Sequence, residues 1–308
     1  MTTQPRGRWW RLVLGTITLL LLAPIGLGLV GVALAALLVA AGLRQPRERW
    51  AAAAAAGVGL AATVLPSGDT LVAALGAYTL IVAAAFTAYA LLAPAGVLRQ
   101  AWRATSTGIV GLALLGLVLR GPGFWNELHW NVVREASSAF RMMVQLQPES
   151  YSVFEPLVRS FAGAYPALVI LWTLAALALA WQWHTRLALV PLGPPLGAFR
   201  DFRFGDQWVW GLVIALLVWA VPKLTLLKGV ALNLGVVLGT LYLLRGAAIV
   251  VAITAGVGVP AWTLVVGAIV ASVLVVPLLI LVPSLWTLGV FDTWLAFRQR
   301  RVGRPTVQ

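Results

Sequence analysis

Residues 229–256 read GVALNLGVVLGTLYLLRGAAIVVAITAG, twenty-eight positions with a single charge, Arg245. A helix needs about 20 apolar residues to cross a ~30 Å hydrocarbon layer. The stretch therefore predicts a membrane helix carrying Asn233 and Arg245 within it. Downstream the chain closes on LGVFDTWLAFRQRR (288–301), an acid, Asp292, set among aromatics beside a basic tail.

Composition extends the same conclusion to the whole chain. Of 308 residues 61% are hydrophobic and 10% charged, too few charges to clothe a water-soluble core of this size. Apolar runs recur at 12–43, 50–65, 70–98, 104–119, 161–185, 207–227, 229–256 and 261–291. The expected fold is all-α: a polytopic transmembrane bundle of about eight apolar segments plus one amphipathic helix. That helix is expected in 124–147, where Trp125, Leu128, Val132, Ala139 and Met143 recur at helical spacing. Such a pattern fits a helix lying in the membrane interface, or one packed across a water-filled vestibule. The expected division is 1–123 for the N-terminal membrane helices, 124–160 for the interfacial segment and 161–308 for the C-terminal helices with their tail. The linker 186–206, with three prolines and three glycines, is the clearest loop.

The charge balance, 22 Lys and Arg against 9 Asp and Glu, does not point to nucleic acid. The arginines gather at the ends of apolar runs, where they meet anionic headgroups and obey the positive-inside rule. Trp9, Trp10, Trp102, Trp208 and Trp210 stand at run ends, as interface belts require. Arginines 298, 300, 301 and 304 follow the last apolar run, so the C-terminus is expected on the cytoplasmic side. A cysteine introduced at Gln308 is expected to resist an impermeant thiol reagent in intact cells. Ready labelling there would reverse the orientation.

Catalytic signatures are missing. The chain has no cysteine, which removes thiolate chemistry and disulfides. His129 and His184 have no ligand-spaced partner. No Walker loop, nucleophile elbow or H-E-x-x-H occurs. The expectation is a protein that is not an enzyme and carries no metal or cofactor.

The polar residues of the last quarter hold the remaining information. Gly235, Gly239, Tyr242 and Gly246 share one helix face, and Gly235-x-x-x-Gly239 predicts a close approach by another helix. Arg245 costs about 2.5–3.5 kcal/mol inside a span and so faces protein or water, either pairing to hold helices or meeting a ligand. Asn233 bridges helices or lines a cavity. Rise per residue separates Arg245 from Asp292. If 229–256 and 261–291 form a hairpin turning near Gly258, they lie about 20 Å and about 51 Å from the turn. Asp292 is then expected at the cytoplasmic interface with Lys228, Trp294, Arg298 and Arg300, away from Arg245.

The pattern Asn233, then Leu241-Tyr242-x-x-Arg245-Gly246-Ala247, then Gly289-x-Phe291-Asp292-x-Trp294-x-x-Phe297-Arg298-x-Arg300 resembles the YybS-like family. These are bacterial predicted integral membrane proteins grouped as domain of unknown function 2232. The block Phe199-Arg200-Asp201-Phe202-Arg203, followed by Trp208-Val209-Trp210, resembles that family's aromatic–basic lead into its sixth apolar run. At superfamily level the family is similar to the substrate-binding S components of energy-coupling-factor transporters. The resemblance implies a multi-pass protein of the bacterial cytoplasmic membrane that binds a small-molecule ligand and docks on a membrane or ATPase partner subunit. Asn233, Tyr242 and Arg245 are its candidate ligand-binding residues. The other class is a membrane scaffold or assembly protein. A solute binder predicts a polar cavity near Arg245; a scaffold predicts Arg245 paired internally and lateral grooves.

Overall fold

A computed structural model describes residues 28–41, 69–92, 96–146, 151–188, 190–259, 263–264, 266–267 and 275–295. Among them the regular structure is helical: α1 Gly28–Ala40, α2 Thr70–Leu92, α3 Val97–Arg120, α4 Phe124–Leu146, α5 Tyr151–Leu187, α6 Trp208–Ala220, α7 Lys228–Gly256 and α8 Val275–Leu295. Four stretches are long and apolar enough to cross a membrane: Thr70–Leu92, Val97–Ser138, Val158–Leu187 and Lys228–Gly256. Shorter apolar helices occupy Gly28–Ala40, Trp208–Ala220 and Leu279–Leu295.

The expected all-α bundle of apolar helices is present, and only the count of about eight apolar segments is inexact: among the described residues four are long enough to cross a membrane and three are shorter. The 50–65 run lies outside the described residues. The 207–227 run is helical for 13 residues, about 20 Å, which is short of a bilayer core. The cause is Pro222. A residue before proline is pushed out of the helical region, and Val221 is extended at φ −84°, ψ 115°.

The chain forms two compact units, one of residues up to Tyr165 with Val169–Leu196, the other of Pro166–Leu168 with residues from Gly197 onward. In the first, α1, α2, α3 and α5 bury Val30, Leu37, Val82, Phe86, Ala104, Leu177 and Trp181 in one core. Small residues let the helices close up: a side chain at Gly108 would run into Val82 and Tyr78, and one at Gly116 into the Phe124 ring. Tyr78 Oη and Thr173 Oγ1 share a buried hydrogen bond at 3.0 Å, satisfying two hydroxyls that would otherwise be costly in an apolar core.

Helix α3 stops at Gly121, whose φ of 70° is open to glycine at no steric cost. The chain turns through Gly121–Gly123 directly into α4. Phe124, Asn131, Val132 and Ala136 are the buried face of α4, while Trp125 and Trp130 are exposed. The amphipathic helix expected in 124–147 thus forms, packed on its unit through Leu71, Val132 and Ala162. Its charged side is tied down by Arg120–Glu127 at 2.9 Å and Arg134–Asp69 at 3.3 Å. After α5, Trp181 Nε1 donates to the Pro194 carbonyl at 3.0 Å, and the Leu192 N–H donates to His184 Nε2 at 3.1 Å. These bonds seat the start of the proline-rich linker on its own unit.

Candidate functional site

The second unit is built on α7. Helix α6 runs antiparallel to it, with Gly211 against Leu238, and α8 crosses it very closely. A side chain at Gly246 would overlap the Leu285 carbonyl oxygen, and one at Gly289 would overlap that of Tyr242. The two backbones touch there because neither glycine has a Cβ to hold them apart.

This crossing departs from the sequence expectation. The close approach was expected at Gly235-x-x-x-Gly239. A Cβ at Gly235 would meet nothing within 4 Å, and at Gly239 it would meet the Trp286 Nε1 at 3.6 Å. Those two glycines instead floor an apolar groove of about 240 Å³ with Leu212, Ala215, Trp219 and Trp286.

The crossing also overturns the predicted separation of Arg245 and Asp292. Arg245 Nε donates to Asp292 Oδ2 at 3.0 Å, and the two side chains are 2% and 0% exposed. Asp292 is thus a buried partner of Arg245, rather than a residue free of it at the membrane interface. The hairpin estimate took the turn as the point that sets the register. The glycine pair sets it instead. Gly246 lies level with Leu285, and Tyr242 with Gly289, so Asp292 falls level with Gly239, about 9 Å along the axis from Arg245. Cα–Cβ bonds lean toward a helix's own N-terminus. In an antiparallel pair these two side chains therefore lean toward each other and close the gap.

Arg245 has a second carboxylate. Its Nη1 donates to Asp206 Oδ1 at 2.7 Å, and the Asp206 side chain is 64% exposed. Asp206 lies just ahead of α6, at the end of a segment, 202–205, that carries no helix. Phe204 of that segment packs edge-on to Tyr242, ring centroids 4.9 Å apart, and its ring lies 5.7 Å from the Arg245 guanidinium carbon. Tyr242 is fully buried, and its hydroxyl faces that of Thr293.

Of the residues singled out from sequence, Tyr242, Arg245 and Asp292 come together. Asn233 stands apart from them. Its Oδ1 accepts the Ala167 N–H at 2.7 Å and its Nδ2 donates to the Gly229 carbonyl at 2.8 Å. Proline 166 weakens the regular helical bonding at this turn, and Asn233 supplies an acceptor for the next amide. Trp294 is 60% exposed, while Arg298 and Arg300 lie outside the described residues. Sequence reasoning missed Asp206 and Phe204. Asp206 closes the 186–206 linker, and nothing local signals that a loop carboxylate reaches a charge in α7.

Residues 10–293 match the family described as "Predicted membrane protein (DUF2232)". Searches of curated proteins and of solved structures returned no match.

Proposed function

The chain belongs to the DUF2232 family of predicted membrane proteins, and from that premise we propose that it is a non-catalytic assembly subunit, a membrane scaffold that receives a partner helix. The observation that carries this reading is the internal pairing of Arg245. A fully buried carboxylate, Asp292, answers its charge, and the backbones on either side are in contact through Gly246 and Gly289. The element left open is the groove floored by Gly235 and Gly239 and walled by Leu212, Trp219 and Trp286. Small residues in a membrane-facing groove permit a second helix to pack closely, since dispersion rather than hydrophobic burial drives helix association in lipid.

A photo-crosslinking amino acid placed at Val236, which lines the groove, tests this in native membranes. The expected product is a protein adduct of one defined mass that disappears when Gly235→Leu fills the groove. Adducts to lipid alone would refute the scaffold reading.

A solute-binding subunit resembling an S component, docked on a partner ATPase, is the second reading. It is favoured by the exposure of Asp206. A structural lock needs the buried acid and gains little from a second carboxylate at the surface.

A further inference from the structure

We propose that Asp206 is an exchangeable counter-ion, and that the outer side of Arg245 is a binding site for a small oxyanion, a carboxylate or phosphate, that takes its place. The proposal deepens the solute-binding reading and stands apart from the assembly role, so its failure would leave the groove untouched.

The two acids on Arg245 differ in kind. Asp292 is 0% exposed on a packed helix, whereas Asp206 is 64% exposed at the end of a non-helical segment. Removing Asp292 would strand a buried cation, which is strongly unfavourable. Releasing Asp206 returns a carboxylate to water, and an incoming monoanion restores the same charge on Nη1. The exchange therefore conserves the charge of the buried site. It requires that the segment 202–205 rotate away, releasing the Trp208 N–H from the Gly205 carbonyl at the start of α6.

The surroundings suit an anion. Arg203 stands exposed on the same segment and raises the local concentration of negative solutes, while Arg200, in the turn before it, pairs with Asp201 at 3.9 Å. Phe204 covers the guanidinium face and moves with Asp206. The buried Tyr242 hydroxyl, one turn before Arg245 and facing the Thr293 hydroxyl, supplies a neutral donor in the same cluster. Depth also fits. Counting from Lys228, Arg245 comes about 26 Å along α7, near the far side of a ~30 Å layer. Trp208 and Trp210, 41% and 65% exposed, stand close to that level as interfacial aromatics do. An oxyanion from the aqueous phase or a lipid phosphate reaches this level without entering the hydrocarbon core.

The natural chain has no cysteine, so Gln207→Cys gives a unique attachment point for a spin label beside Asp206. The full chain is placed in zwitterionic nanodiscs and titrated with inorganic phosphate, with chloride at matched ionic strength as control. Phosphate is expected to mobilise the label and chloride is not. Asp206→Asn in the same background is expected to show a mobile label before any addition. It is also expected to bind phosphate about tenfold more tightly, as follows if the open state is roughly one-tenth populated in the parent. Discs containing phosphatidylglycerol, without phosphate, separate the sources. Mobilisation there identifies a headgroup, and mobilisation only on added phosphate identifies a free oxyanion. No response to phosphate or anionic lipid, with Asp206→Asn indistinguishable from the parent at an unchanged unfolding temperature, would overturn the proposal.

Discussion

Asp292→Ala is expected to destabilise the detergent-solubilised protein by about 3–5 kcal/mol, the cost of leaving a buried charge without its partner. Arg245 is 1% exposed, so water cannot reach it to compensate, and Asp206 already holds Nη1 rather than Nε. Asp206→Ala is expected to cost about 0–1 kcal/mol, because an acid that is 64% exposed gains little from its pair. The decisive comparison is the double replacement Arg245→Leu with Asp292→Leu. Apolar residues of similar bulk remove the desolvation penalty together with the attraction, and such replacements are often neutral or stabilising. Thermal unfolding followed by size-exclusion chromatography should therefore rank the double variant above Asp292→Ala. Additive effects of the two single changes would show that the pair does not couple. Equal losses from Asp206→Ala and Asp292→Ala would refute the division into a buried and an exchangeable partner.

The second large effect is expected at the helix crossing. Gly246→Ala and Gly289→Ala each introduce a carbon that overlaps a backbone carbonyl, and a backbone cannot rotate aside as a side chain does. The helices must separate. Overpacking of this kind costs about 1–3 kcal/mol, and separation also draws Asp292 away from Arg245, so the total should approach that of losing the ion pair. Combining Gly289→Ala with Asp292→Ala should then cost less than the sum of the two. Gly235→Ala is the control. Nothing lies within 4 Å of its Cβ position, and alanine is favoured over glycine within a helix by about 0.5–1 kcal/mol. That variant should be neutral or slightly stabilised. Equal losses at Gly235 and Gly246 would show that the two positions are not distinguished by backbone contact.

What could be read from the sequence follows from how each property arises. Membrane class and helical structure are local sums: about twenty apolar residues in a row match the thickness of a hydrocarbon layer wherever their neighbours sit. The 229–256 run was legible in this way, and it appears as α7 within one residue. The same holds for the amphipathic α4 and for the unusual cost of Arg245. The short α6 was legible in principle, because Pro222 acts on the residue beside it, but hydropathy alone passed over it.

The partners of Arg245 belong to another class of property. They depend on the register between α7 and α8, and rise per residue cannot supply it, since that counts distance from an assumed turn. The register comes from Gly246 and Gly289, forty-three positions apart, each meaningful only against the other's backbone. A repeat of small residues inside one helix, Gly235 and Gly239, looks stronger in the sequence than this pair does. Asp206 reaches the site because α6 returns antiparallel along α7 and sets the loop level with Arg245. The sequence by itself determined that a charge lies inside a membrane helix of this protein and must be answered. Which carboxylates answer it was decided by tertiary structure alone, because closeness between distant residues is a property of packing and is written in no single stretch of chain.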